Sequence, residues 1–210
     1  MEPLSPTASR VFLLSPARSD GQRAKLLLRS SAEFPLAVSL RGREGAPLGD
    51  VFSFLSGLYF RGKLTYARTF APSITSFPSV LVITADRGLM SPDDCVRRDD
   101  VLAFSSVDIA GGDERYELPL RRDAGALART LPPATEVVLL GSVASGKYVD
   151  ALLELFGERL VFPIEFVGRG DMSRGGLLLR HAREGRELAY IPVAGAVRRG
   201  KRPPKLERAR

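Results

Sequence analysis

One stretch of the sequence comes close to a phosphate-binding signature. Residues 141–147 read GSVASGK and follow the apolar run at 137–140, so they fit most of the pattern G-x-x-x-x-G-K-[ST]. In that pattern backbone N–H groups and the lysine hold phosphates, and the final hydroxyl binds magnesium. The residue after Lys147 is Tyr148, which is too large to replace that small hydroxyl. The loop therefore predicts a glycine-permitted turn between a strand and a helix, with Lys147 exposed.

Three aspartates follow apolar runs and have turn-forming residues around them. Asp20 lies in SPARSDGQ, Asp86 follows VLVIT, and Asp171 lies in GRGDMSRGG. A carboxylate in such a loop can orient a water molecule or stabilise a developing cation. It can equally cap a turn or a helix, and Asp86 can simply pair with Arg87. We take Asp20 and Asp86 as the candidate catalytic groups.

Aromatic and basic residues alternate in YFRGKLTY, at residues 59–66. Tyr59, Lys63 and Tyr66 are spaced by four and three residues, which places them on one face of a helix. Tyr59 is a candidate to stack on a base while Lys63 contacts a phosphate. The alternative is an amphipathic surface helix anchored to the core by its tyrosines. Further candidate phosphate contacts lie in the loops, at Arg18, Lys147, Arg169, Ser173 and Arg174.

The charge balance favours an anionic partner. The 210 residues carry a formal net charge of +7, and 44% of them are hydrophobic, which is typical of a globular chain. Basic residues concentrate after residue 196, and Pro203 and Pro204 disfavour a helix there. We interpret 196–210 as a basic arm that contacts DNA phosphates, with a solubilising tail as the alternative. Its candidate contacts are Arg198, Arg199, Lys201 and Arg202.

The predicted elements alternate between strands and helices. Short apolar runs predict strands at 11–14, 80–84, 137–140 and 160–162, and helical spacing predicts helices at 23–28, 51–70, 124–131 and 148–156. Asp50 is the predicted N-cap of the second helix. We also expect a strand at 101–104, a turn and edge strand in GGDERYELPL, a helix or strand at 177–182, and a strand at 187–193.

This alternation predicts an α/β fold in three layers, with a mostly parallel central sheet flanked by helices. In such sheets ligands bind beyond the carboxyl ends of the strands. The loops after Leu14, Thr84, Leu140 and Phe162 are therefore the places where we expect chemistry. We expect a single domain at 11–195, preceded by disordered residues 1–10.

Two segments resemble the uracil-DNA glycosylase superfamily, in the order that family has them. Residues 137–144 and the later Phe162-Pro163 and Arg169-Gly170 resemble its C-terminal half, where a strand ends in His-Pro-Ser-Pro before an Arg-Gly loop enters DNA. The N-terminal RVFLLSPARSDGQRAKLL resembles its first strand and water-activating loop. The resemblance covers about a third of the chain. It implies that fold, base excision from DNA, and a base pocket at Ser15, Pro16 and Tyr59.

The family's catalytic positions differ in this sequence. Phe162 stands where the family has its histidine, Ile164 stands in place of the serine, and the aspartate of the water-activating loop is not at the matching place. The resemblance therefore implies a nonstandard, damaged or modified base rather than uracil. A separate likeness, in residues 59–67 and 80–94, is to small uncharacterised bacterial α/β domains, including those grouped with the YaaA-type peroxide-stress proteins.

The expected function is hydrolysis of an N-glycosidic bond in DNA, in repair or in defence against phages with modified DNA. A non-catalytic nucleic-acid-binding protein of the same fold and a nucleotide- or nucleoside-processing enzyme stay open as alternatives. We expect a cytoplasmic monomer without cofactor or metal. The single cysteine, Cys95, excludes an intrachain disulfide, no apolar run is long enough to span a membrane, and no export signal is visible.

Overall fold

A six-stranded sheet forms the centre of the molecule. The computed structural model describes residues 9–72, 76–144, 146–201 and 203–204. Its strands are β1 (Arg10–Leu14), β2 (Ala46–Pro47), β3 (Val80–Ile83), β4 (Leu89–Met90), β5 (Cys95–Val96), β6 (Glu136–Leu140), β7 (Leu160–Pro163) and β8 (Tyr190–Pro192). The sheet runs in the order β4-β3-β1-β6-β7-β8, and β2 pairs with β5 separately.

The four central strands are parallel and the two edge strands are antiparallel. β1 pairs in parallel with both β3 and β6, and β6 pairs in parallel with β7. β4 and β8 run antiparallel to β3 and β7. The central strands are almost continuously buried, as expected for a sheet covered on both faces. The predicted α/β fold with a mostly parallel central sheet is confirmed.

Helices connect the strands and pack in two groups. They are α1 (Gln22–Leu27), α2 (Pro35–Arg41), α3 (Leu48–Ser56), α4 (Leu58–Phe70), α5 (Arg98–Ser105), α6 (Glu114–Thr130), α7 (Gly146–Phe156) and α8 (Asp171–Glu184), with short 3-10 turns at Gly157–Arg159 and Ile164–Phe166. Right-handed crossovers place α4 on one face of the sheet and α6 and α7 on the other. Accordingly, α4 packs against α8, and α6 packs against α7.

The contact between α4 and α8 depends on two glycines. A Cβ atom on Gly62 would lie 2.7 Å from the carbonyl oxygen of Gly175, and one on Gly175 would lie 2.7 Å from that of Leu58. The two backbones therefore approach more closely than any other residue type would permit. This contact brings the face of α4 that carries Tyr59 and Lys63 against the start of α8.

The helix predicted at 51–70 is wrong in its continuity and in its cap. Gly57, with φ of 63°, separates α3 from α4, a backbone conformation that other residues rarely adopt. Asp50 is not the N-cap, because α3 already begins at Leu48; the carboxylate lies in the first turn instead. There it still interacts favourably with the helix dipole.

The two strands predicted between residues 101 and 121 are also wrong. Residues 101–104 belong to α5, where Val101 and Phe104 are buried at helical spacing and the Asp100 carboxylate accepts a hydrogen bond from the Arg97 N–H. GGDERYELPL leads into α6, which begins after the Asp113 cap and continues through Pro119. Its buried residues Tyr116, Leu120, Ala124 and Leu127 follow helical spacing, and this periodicity outweighs the cost of the proline.

The remaining predictions differ mainly in their boundaries. Residues 177–182 lie within α8, which is a helix, and the strand predicted at 187–193 shortens to β8. The buried apolar side chains of the described residues form one connected core. No helix in the described part of the chain is long and apolar enough to cross a membrane. Residues 1–8 and 205–210, at the ends of the predicted terminal segments, lie outside the described residues.

Candidate functional site

A cleft of about 750 Å³ opens at the carboxyl ends of β1, β3 and β6. Its walls come from residues 15–20 after β1, Ala85 after β3, residues 104–110 at the end of α5, and Ser142 after β6. The starts of α4, α7 and α8 close it with Tyr59, Lys147, Tyr148 and Asp171. Because the chain leaves β1 toward β3 and returns past it to β6, this is the point where the strand order reverses, the usual ligand site of such sheets.

Ser15, Tyr59 and Tyr148, three of the four buried hydroxyl side chains on the wall, form what we call the floor of the cleft; the fourth is Ser19. Ser15 extends β1 by one residue, since its N–H donates to the carbonyl of Leu140. Pro16 also lines the cleft. The structure thus brings together Ser15, Pro16 and Tyr59, the three predicted base-pocket residues.

Lys63 lies directly behind the floor. Its Nζ donates to the Ser15 carbonyl oxygen at 2.5 Å and lies 2.8 Å from the Ser15 Oγ. The rings of Tyr59 and Phe60 each lie 4.7 Å from the same Nζ. The side chain is only 1% exposed, so the prediction that Lys63 contacts a DNA phosphate is wrong.

Burial changes the acidity of Lys63. Desolvation of the ammonium lowers its pKa to about 7, the nearby Arg174 charge acts in the same direction, and Asp171 acts against them. Among the described residues, no carboxylate forms an ion pair with Lys63. A pKa near 7 means that the amine changes between its charged and neutral forms near neutral pH. This is unusual for a lysine and typical of functional sites.

Tyr148 is turned away from solvent and completes the floor. Its hydroxyl donates to the Ser142 carbonyl at 2.9 Å, and burial raises its pKa to about 12. A Cβ atom on Gly141 would lie 2.7 Å from this hydroxyl and 2.8 Å from the Ser15 Cβ. The glycine is thus required so that β6 can pass between Ser15 and Tyr148. The Tyr148 hydroxyl faces the protein interior, where it is not placed to bind magnesium.

The Tyr59 hydroxyl is the least satisfied polar group of the floor. It is buried and makes no hydrogen bond with the described residues. Burial raises its pKa, although the charge of Arg174 partly offsets this effect. Buried hydroxyls normally find a partner, and Arg174 from α8 is the polar side chain that faces this one.

The candidate carboxylates occupy different places. Asp20 lines the cleft and pairs with Arg18 at 2.5 Å, and that hydrogen bond lowers the pKa of the carboxyl. Asp171 lines the cleft from the first turn of α8. Asp86 does not line it; its Oδ1 is buried without a hydrogen bond, 4.0 Å from the Arg87 Nε, and burial raises its pKa. Asp86 is therefore misplaced for the catalytic role that we predicted.

The glycine-rich loop before α8 does not present its two arginines equally. Arg174 is buried, donates to the Phe166 carbonyl and lies 3.6 Å from Asp171, so it supports the loop instead of contacting phosphate. Arg169 is half-buried and donates to the Ser173 hydroxyl and to the Pro204 carbonyl, each at 3.3 Å. The phosphate-contact role predicted for Arg174 is thus contradicted by its burial.

The described part of the basic arm runs back beside the cleft. Arg199 donates to the Ala144 carbonyl, two residues from Ser142 on the cleft wall, and Arg198 lies 3.6 Å from Asp150 on α7. Lys201 is exposed, and its carbonyl touches the backbone of the loop before α8. Arg202 lies outside the described residues. Exposed Arg18 and Lys147 add positive charge at the cleft mouth.

The sequence reasoning missed one wall of the cleft. Residues 104–110 contribute Ser105, Ser106 and Asp108, whereas we had expected a strand over part of this segment. The glycines that follow this segment predicted a turn and an edge strand, not a wall of the cleft. In the part of the chain that the structure describes, no three His, Cys, Asp or Glu side chains are grouped to hold a metal.

Comparisons with known proteins give this site no precedent. The chain matched no protein-family model, no curated protein and no solved structure.

Proposed function

We propose that this chain binds DNA and hydrolyses the N-glycosidic bond of a nonstandard base, leaving an abasic site. The fold that we propose is a three-layer, uracil-DNA-glycosylase-like arrangement. The observation that supports this function is the cleft at the carboxyl ends of three adjacent parallel strands. Its size is typical of small-molecule sites and suits a base turned out of the DNA stack.

The cleft holds groups for both ends of the bond that breaks. Base release builds positive charge on the sugar and negative charge on the base. Asp20 is ionised at neutral pH, as an ordinary aspartate is, and its hydrogen bond with Arg18 lowers its pKa further, so it can stabilise the sugar and accept a proton from the attacking water. Asp171, at the start of α8, is a second carboxylate that lines the same cleft.

The charges around the cleft mouth suit a DNA backbone. Arg18, Lys147, Arg199 and Lys201 are exposed on one side of the cleft or in the arm beside it. Contacts of this kind bind phosphates without reading the base sequence. The base would then be selected inside the cleft, by the floor and by residues 104–110.

The test is an assay for abasic sites. Duplex and single-stranded DNAs carrying normal bases, uracil, hypoxanthine or 5-hydroxymethylcytosine are incubated with the protein and then cleaved with alkali. We expect strand breaks on at least one modified DNA, and a loss of at least 100-fold in rate for Asp20→Asn. The matched control is Asp99→Asn, whose carboxylate is almost fully exposed on α5 and does not line the cleft.

The same assay discriminates between the alternatives. Tight, salt-sensitive DNA binding without breaks on any substrate would favour the non-catalytic binding protein. ATP or GTP hydrolysis that is lost in Lys147→Ala would favour the nucleotide enzyme. Against the latter, Tyr148 directs its hydroxyl into the protein and leaves the signature without its magnesium ligand.

A further inference from the structure

Ser15 is the link between the cleft and a buried amine. Ser15 lines the cleft, whereas Lys63 behind it is sealed from solvent and is not part of the wall. The Lys63 Nζ lies 2.8 Å from the Ser15 Oγ, within hydrogen-bond distance. A proton can therefore pass from Lys63 to a molecule in the cleft through the Ser15 hydroxyl.

We propose that Ser15 protonates the departing base and that Lys63 supplies the proton to Ser15. This inference rests on the proposed function and names the acid that the reaction requires. Phe162, at the position where the resemblance implies a histidine, is fully buried in β7 and cannot serve. The exposed cations at the mouth, Arg18 and Lys147, lie in water, where a charge acts more weakly.

The proton balance of the step is complete. As the bond between the sugar C1′ and the base nitrogen breaks, its electron pair stays with the base, which takes the proton of the Ser15 hydroxyl. The Lys63 ammonium replaces that proton and becomes neutral. Water adds to C1′ and gives a proton to Asp20. Asp20 then releases this proton to solvent, and solvent returns one proton to Lys63. The products are the free base and the abasic sugar, and one water is consumed.

The surroundings of Lys63 support this role. The groups that face it are the Tyr59 and Phe60 rings from its own helix, Ser15 from β1, and the charged pair Asp171 and Arg174 from α8. Burial and Arg174 lower the Lys63 pKa to about 7, and Asp171 raises it. An acid with a pKa near the working pH is both populated and able to give up its proton.

Tyr148 acts as a positioning residue for Ser15. Its hydroxyl interacts with the Ser15 side chain, and both groups lie beside Gly141. The same hydroxyl donates a hydrogen bond to the Ser142 carbonyl, which fixes its position. The Ser15 hydroxyl is thus held between the Lys63 amine and the Tyr148 hydroxyl.

The experiment measures single-turnover release of the base between pH 5.5 and 9 on the same DNA panel, with 5-fluorouracil added beside uracil. We expect the wild-type rate to fall as pH rises above about 7, the pH at which Lys63 loses its proton. Ser15→Ala and Lys63→Met should lose 100-fold or more and show no such fall. Their deficit should shrink on bases that leave easily as anions, because those bases need less protonation.

Three outcomes are separable. An active wild type with inactive, correctly folded variants supports the inference; circular dichroism verifies their folding, and Tyr148→Phe should show a smaller loss with an unchanged pH profile. An active wild type whose rate and pH profile survive Ser15→Ala overturns the inference and leaves the proposed function standing. A wild type that releases no base from any of the DNAs overturns both.

Discussion

The burial of Lys63 predicts an unusual dependence of stability on pH, independent of any substrate. The folded state lowers the lysine pKa from 10.5 to about 7, so between these values the unfolded chain binds a proton that the folded chain does not. Under that condition the free energy of unfolding rises with pH, by up to about 1.4 kcal/mol per pH unit. Below pH 7 the interior must hold an ammonium ion, and this residue then destabilises the fold most.

The perturbation that reveals the effect is Lys63→Met, which keeps the length of the side chain and removes the charge. The variant leaves the Ser15 carbonyl and hydroxyl without their partner, which costs about 1 to 3 kcal/mol at every pH. The destabilisation caused by the buried lysine charge changes with pH. The destabilisation caused by the lost hydrogen bonds in the methionine variant does not. Wild type should therefore gain about 2 to 3 kcal/mol relative to the variant between pH 6 and pH 9.

Urea unfolding followed by circular dichroism at half-unit pH steps measures this difference. Other titrating groups contribute equally to both proteins and cancel in the comparison. Lys25→Met is the matched control, because Lys25 is exposed on α1, and its unfolding curves should follow wild type at every pH. If the stabilities of wild type and Lys63→Met run parallel from pH 6 to pH 9, the lysine is not desolvated and the argument for its lowered pKa fails.

Two further predictions concern the helix contact and the arm. Gly62→Ala should destabilise the protein by about 1 to 3 kcal/mol in urea unfolding, because the new Cβ overlaps the α8 backbone. The control is Gly125→Ala, which also lies inside a helix but has room for a Cβ. This variant should stabilise the protein by up to about 1 kcal/mol. Replacing both Arg199 and Lys201 by Gln should reduce the slope of log DNA affinity against log salt by about 2, measured by fluorescence anisotropy; Arg183→Gln, exposed on the last turn of α8, should leave it unchanged. If Gly125→Ala destabilises the protein as much as Gly62→Ala does, the close contact between α4 and α8 is contradicted. If Arg183→Gln lowers the salt slope as much as the double substitution does, the placement of the arm is contradicted.

The sheet was predictable because its strands are short, apolar and buried on both faces. Residues 137–140, for example, permit little other than a central strand. The same reasoning failed at 101–104 and 111–120, where an apolar run and a proline resembled a strand and its turn. There the correct signal was the spacing of single buried residues such as Tyr116 and Leu120, four apart, which is weaker than a continuous run.

The location of the cleft was predictable, but the buried lysine behind it was not. The rule that ligands bind beyond the carboxyl ends of parallel strands led to Ser15, Asp20 and Tyr59, which the structure places on one cleft. The burial of Lys63 was not predictable from its type, since lysine is almost always exposed. The neighbouring residues indicate this burial, because Tyr59, Phe60 and Leu64 are apolar or aromatic and lie close to Lys63 on the buried part of α4. Its contact with Ser15 depends on how α4 lies against β1, which the local sequence does not specify.

The loop at 141–147 shows that the glycines of a phosphate-binding signature can be required by side-chain packing. In a phosphate loop the glycines clear space for an anion. Here Gly141 clears space for two neighbouring side chains, Ser15 on β1 and Tyr148 on α7, whose atoms a Cβ would overlap. Tyr148, the residue that departs from the signature, supplies a hydroxyl to the inside of the fold. Glycine spacing indicates that other atoms approach the backbone closely. The structure identifies the side chain next to Gly141 as Ser15, whose hydroxyl is within hydrogen-bond distance of Lys63.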